Sequence, residues 1–222
     1  MSETSLERAR AGKTGRPSRQ TSLELTQRIL DVATAMFLEC GYGASSVDTL
    51  AAVACISKRT FYARFPSKAD LFEAVIVRYI NDRLSGFESE IVACDDLRQT
   101  LTDIATGLLK RTLTPETIAL DRMITGEVKQ FPELARTLYD HGVVRVAGAV
   151  GRVIEQAIGR GEIAGGEVDF LAISFIDLTV GPALRRASLG LEPAIFSDKN
   201  EVHVRKAVDL FLNGCRRQSG EP

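Results

Sequence analysis

Between Ser46 and Phe65 the chain has room for two short helices and a tight turn, and for little else. Ser46 is a capping residue, and Val47, Leu50, Ala51 and Ala54 follow at i, i+3, i+4 and i+7. Cys55-Ile56 makes the connection, and Ser57 caps a second helix expected to run to about Phe65. Phe61 and Phe65, one turn apart, face inward and leave Lys58, Arg59, Thr60, Tyr62 and Arg64 to face out. This is the helix-turn-helix arrangement, in which the first helix braces the second so that its outward side chains reach base edges in a major groove. The stretch Ser57–Lys68 contains Lys58, Arg59, Arg64 and Lys68 and no acid. A solvated charged face on an ordinary helix is the competing reading. An exposed tyrosine beside a threonine and several cations favours a DNA-facing surface.

The rest of the chain is helical in pattern. Thr21 and Glu24 have the form of a capping box, followed by Leu25, Ile29, Val32, Ala33, Met36 and Phe37, with Gly41 and Gly43 as the stop. Pro66-Ser67 breaks the chain and Lys68 opens a longer helix carrying Leu71, Phe72, Val75, Ile76 and Tyr79. Further helices are expected over 91–112, 115–130, 132–160, 167–189 and 198–217. No alternating apolar runs joined by hairpin turns occur, so the fold class is all-α: an N-terminal three-helix bundle followed by a larger helical domain. The expected organisation is a flexible basic arm over 1–20, a helix-turn-helix domain over 21–80 and a helical domain over 81–218.

Charge is distributed unevenly. The whole chain carries −1, whereas residues 1–70 carry +3 and the remainder −4. A mildly acidic protein with one short basic segment suits a local anion-facing surface better than general polyanion binding. With 45% hydrophobic and 26% charged residues, no long uncharged apolar run and no apolar N-terminal stretch, a cytoplasmic protein without membrane association is expected. Cys40, Cys55, Cys94 and Cys215 are scattered, and His141 and His203 lie far apart, so reduced thiols and no metal or other cofactor are expected.

Residues 22–80 resemble the DNA-binding domain of the TetR family of transcriptional regulators. The matching pieces include Ile29-Leu30, Ala35-Met36-Phe37, Gly41-Tyr42, Ser46-Val47, Leu50-Ala51, Ile56 through Tyr62, Phe65 and Ser67 through Leu71. The resemblance implies that Thr60, Tyr62 and Lys68 hold phosphates while Lys58, Arg59 and Arg64 lie near bases or backbone. Ser46, Thr49 and Ser57 complete the expected DNA-binding set. It further implies a C-terminal domain that dimerises and binds a small molecule. The run from Arg122-Met123-Ile124 to Phe131-Pro132-Glu133-Leu134-Ala135 is similar to the AefR-like subgroup of such domains. Family members usually carry glycine where this chain has Cys55; a small buried thiol replacing it is one reading and a redox switch the other.

In the C-terminal half, Phe170, Ile173 and Leu184 lie in an expected helix that is apolar almost all round, and Val204, Val208, Phe211 and Leu212 recur in the last. These residues either form a four-helix dimer interface, as the resemblance implies, or fill a monomer's core. Asp177 is expected either to pair with Arg185 or Arg186 across that interface or to line a ligand pocket. Arg122, Glu127, Tyr139 and His141 are the other polar candidates for holding an apolar or amphipathic effector. The function expected is a homodimeric regulator binding a palindromic double-stranded DNA operator, released as a repressor by its effector. A constitutive regulator or activator, and a helical enzyme, are the alternatives; no nucleophile–base pair or metal cluster supports the last.

Overall fold

The structure, a computed structural model, describes residues 19–91 and 96–215. The expected basic arm lies outside the described residues up to position 18, as do Cys94 and the chain beyond 215. The fold is all-α. α1 (Arg19–Ala44) begins ahead of the expected Thr21 cap, and its first turn is braced by Gln20 donating to Glu24 across four residues. At Gly41 (φ 83°) the helix kinks where the sequence marked its stop.

α2 (Val47–Val53), α3 (Lys58–Tyr62) and α4 (Lys68–Leu84) start behind Ser46, Ser57 and Ser67, each serine accepting a backbone N–H of the first turn. The α2–α3 turn is a Schellman motif: Ile56 N–H donates to Ala51 O and Cys55 N–H to Ala52 O, with Cys55 at φ 54°. Cys55 is thus in the left-handed conformation and exposed, not the buried thiol expected, because the turn points its side chain away from the bundle core. That conformation costs an L-residue about 1 kcal/mol relative to glycine. α3 ends at Tyr62, short of the expected Phe65, and Pro66 bars helical continuation beyond. Phe37, Leu50, Phe61 and Phe72 fill the centre of the bundle.

The C-terminal half departs from the expected segmentation in three places. A four-residue helix, α5 (Phe87–Glu90), precedes α6 (Leu97–Thr112), which Asp96 caps by accepting the N–H groups of Arg98 and Gln99. After α7 (Pro115–Glu127), the expected 132–160 helix is α8 (Pro132–Leu138) and α9 (Val144–Gly159) joined by a π-helical turn over Tyr139–Val143. The expected 167–189 helix is broken into α10 (Val168–Thr179) and α11 (Gly181–Ser188), because Pro182 has no N–H to continue the ladder. α12 (Asp198–Gly214) closes the described chain, packing on α6 and α10. α7 packs on α1, and α8 on α4, so the two halves share an extensive contact.

Candidate nucleic-acid interface and internal cavity

α3 presents its functional face because Phe61 and Phe65 are buried beneath it. Arg59 is exposed and makes no ion pair among the described residues, and Tyr62 is half-exposed with its ring edge-on to Phe61. Ser57 Oγ accepts the Thr60 N–H at 3.1 Å and lies 2.9 Å from its hydroxyl; Ser46 and Thr49 repeat the pattern at 3.0 and 2.8 Å. Lys58 and Asp48 form an exposed ion pair at 2.7 Å, which ties α3 to α2. The Asp48 hydrogen bond and charge raise the Lys58 pKa, so this ammonium stays charged. The structure therefore gathers Ser46, Thr49, Ser57, Lys58, Arg59, Thr60 and Tyr62 around one helix-turn-helix surface.

Arg64 and Lys68, also expected at the DNA, are engaged with α1 and with the corner between α1 and α2. Arg64 is half-buried, reaching Ser22 Oγ in α1 at 3.4 Å. The Lys68 ammonium donates to the carbonyls of Tyr42 at 2.8 Å and Ser45 at 3.0 Å, with Gly43 O at 3.5 Å. It also sits 4.2 Å from the centroid of the Tyr42 ring. Burial pushes its pKa below the usual lysine range, and the Glu127 charge acts in the opposite direction. These contacts close the corner between α1 and α2 and occupy the ammonium's donors with the protein's own backbone.

A cavity of about 210 Å³ lies between α4 and the C-terminal helices. Leu108, Leu120, Leu138, Val146, Ile176 and Leu184 make most of its wall, and Tyr79, Arg83, Arg111, Thr112, Thr117 and Asp121 contribute to it almost wholly through their apolar atoms. The π turn places Gly142 and Val143 on the lining, and the α10–α11 break places Val180 there. Tyr79 and Thr117 share a hydrogen bond at 2.7 Å across the α4–α7 contact.

None of the five residues expected to hold a ligand lines this cavity. Arg122 donates to the carbonyls of Ser188 and Ala187, closing the end of α11. Glu127 accepts the Gly43 N–H, His141 lies 3.2 Å from Glu73 of α4, Tyr139 is half-exposed, and Asp177 is exposed. Asp177 makes no ion pair with Arg185 or Arg186 within the chain. Arg83 and Arg111 were missed as wall residues, although they left a signal: Arg83 stands on the apolar stripe of Ile76, Tyr79 and Ile80, and Arg111 follows Ile104 and Leu108.

The expected dimer set also divides. Val204, Val208 and Phe211 are buried within the chain, Phe211 edge-on to Phe175, and are core residues. Ile173, Leu184 and Leu212 are half-buried, while Phe170 is 65% exposed. Val202 and Leu210 are the exposed apolar residues of α12, and they were not anticipated. Among the described residues there is no cluster of three or more His, Cys, Asp or Glu suited to a metal, and no helix long and apolar enough to cross a membrane.

Residues 29–75 match the family of bacterial regulatory proteins named for TetR, and residues 99–214 match the C-terminal domain of AefR-like transcriptional repressors. The chain is 33% identical over 149 residues to the DNA-binding transcriptional repressor TetR of Mycobacteroides abscessus, covering 64% of this chain and 71% of the relative. It is also 33% identical over 95 residues to the HTH-type transcriptional activator FasR of Mycolicibacterium smegmatis, a match spanning 43% of each chain. Among solved structures, the flavonoid-responsive regulator FrrA superposes with a TM-score of 0.75 at 26% identity, covering 88% of this chain and 99% of FrrA. A TetR-family transcriptional regulator from Mesorhizobium loti shares the fold, with a TM-score of 0.72 at 23% identity over 87% and 97% of the two chains.

Proposed function

The chain belongs to the TetR family of DNA-binding transcriptional regulators, and from that premise we propose that it acts as a cytoplasmic homodimer on a palindromic operator, released by a small molecule. The observation that carries this reading is the α3 face. Arg59 and Tyr62 are presented outward by buried Phe61 and Phe65, on a helix of the width a major groove admits. Phe170, Val202 and Leu210 supply exposed apolar surface on the adjacent helices α10 and α12 for a two-fold partner, which would set two recognition helices on two half-sites.

Effector control rests on the cavity's position. Its wall includes Tyr79, Ile80, Arg83 and Leu84 of α4, the helix whose N-terminus is built into the helix-turn-helix bundle. An apolar or amphipathic molecule favouring one placement of α4 would shift operator affinity by its differential affinity for the two states. The flavonoid-responsive neighbour supports small-molecule control, and repression and activation both occur among the relatives. We read the chain as a regulator rather than an enzyme.

Fluorescence anisotropy with DNA flanking the regulator's own gene, combined with sedimentation of the complex, tests the proposal. Saturable binding of two chains per site, lost on scrambled DNA, is expected. A monomer at micromolar concentration, or equal affinity for both duplexes, contradicts it.

A further inference from the structure

We propose that the cavity between α4 and the C-terminal helices takes a neutral, hydrocarbon-like molecule and discriminates against one with a polar or charged head. This deepens the reading of that cavity as the effector site, and rests on it. Of the apolar and amphipathic molecules that an effector site could take, the wall selects the first, because almost none of the surface facing inward is polar. An apolar protein cavity of about 150 Å³ stays dry and holds benzene. At about 210 Å³, this one has room for a benzene ring carrying a short alkyl chain.

The polar residues of the wall turn their polar ends to protein partners. Arg83 Nη2 donates to Glu116 at 3.1 Å, and its guanidinium lies 5.1 Å from the Tyr79 ring centroid. Arg111 Nη2 donates to Glu90 at 2.6 Å and Nη1 to Gly107 O at 3.2 Å, with the guanidinium 5.1 Å from the Phe87 centroid. Neither glutamate lines the cavity, so both arginines give the wall their methylene stems while their charges are held away from it. The Tyr79 and Thr117 hydroxyls are 2.7 Å apart and bonded to each other. Asp121 Oδ2 accepts the Ser188 hydroxyl at 2.5 Å, at the α7–α11 contact.

A site for a polar head needs a donor or acceptor that the protein has left free to meet it. Among the described residues, the buried side-chain nitrogen and oxygen atoms without a partner are Nε of Arg64 and Nε of Arg186, and neither residue lines this cavity. A hydroxyl, carboxylate or ammonium entering here leaves its water and gains no hydrogen bond in return. A hydrocarbon gives up no hydrogen bond to water and gains contact with the apolar wall.

Isothermal titration of the full chain with butylbenzene, phenylbutanol, phenylbutyrate and phenylbutylammonium, which share a skeleton and differ only at its end, tests the assignment. Butylbenzene is expected to bind at least ten-fold more tightly than the alcohol, and the two ions more weakly still. Arg83→Gln and Arg111→Gln should leave this order unchanged. Equal or tighter binding of the alcohol or either ion, or a changed order in either arginine variant, overturns the assignment. Val146→Trp and Ile176→Phe each fill the cavity, and whichever melts like the wild type should bind butylbenzene at least ten-fold more weakly. Undiminished binding in that variant, or no binding of any probe to the wild type, also overturns it. Operator titration with saturating butylbenzene isolates the underlying reading: selective binding with operator affinity unmoved leaves the ligand class standing and removes the effector role.

Discussion

The Glu127 carboxylate accepts the Gly43 backbone N–H at 2.5 Å, joining the last turn of α7 to the corner between α1 and α2. A carboxylate at a helix C-terminus opposes the helix dipole, so α7 alone gives no reason for a glutamate there. The reason is across the interface, where the Gly43 N–H meets it and the Lys68 ammonium lies near enough for the two charges to interact. Phe131 packs edge-on to Tyr42 at 4.9 Å beside them. Thr117, Leu120 and Asp121 of the same α7 line the cavity, so one helix touches both the candidate effector and the helix-turn-helix corner.

Glu127→Ala should therefore loosen communication more than folding. The hydrogen bond is solvent-exposed, so the expected stability loss is about 1 kcal/mol or less. The effector's influence on operator affinity should shrink by several-fold, within the roughly 1–3 kcal/mol of an ordinary coupling. Operator titrations with and without effector check this; an unchanged ratio in the variant means that α7 does not transmit through this contact.

Lys68→Met should behave as a stability variant. It removes donors from the Tyr42 and Ser45 carbonyls, a loss of about 1–3 kcal/mol, which for a chain of this size lowers the melting temperature by about 2–4 °C per kcal/mol. The salt dependence of DNA binding should stay as in the wild type. A phosphate contact would instead reduce the slope of log affinity against log salt by about 1. Thermal melts and titrations at several salt concentrations distinguish the two.

Charges placed on the outer and inner faces of the last helices should separate association from folding. Phe170→Glu and Leu210→Glu alter side chains that are 65% and 63% exposed, and should leave the melting temperature nearly unchanged while weakening self-association. Phe211→Glu buries a charge against Phe175 and should cost more than about 3 kcal/mol, unfolding much of the protein. Sedimentation velocity and circular dichroism are the measurements. Unaltered association in both outer variants would place the dimer contact elsewhere.

The DNA-facing part was legible because its determinants are local: three capping serines, a Schellman turn at Cys55 and two inward phenylalanines all lie within a few residues of what they organise. The intrachain partners of Arg122, Glu127 and Lys68 were not legible, for the converse reason. Each carries its charge to backbone groups more than twenty residues away, and spacing along a helix holds no information about such partners. Val204, Val208 and Phe211 show a related limit. Periodicity identified the apolar face of α12, but a face buried on α6 and α10 has the same pattern as one buried on a second chain. The π turn and the α10–α11 break reshaped the cavity wall without disturbing the apolar pattern that predicted single helices.

Base reading by α3 is the central claim, and Arg59 is its most direct test. Arg59 is exposed in the first turn of the helix, where base edges come nearest, and it has no intrachain ion pair among the described residues to obscure the result. Wild type and Arg59→Ala should be titrated on operator and on scrambled duplex at two or more salt concentrations. The expected loss is about 1–3 kcal/mol on operator and clearly less on scrambled DNA. An equal loss on both duplexes, or no loss on either, would contradict the assignment of α3 as the helix that reads sequence.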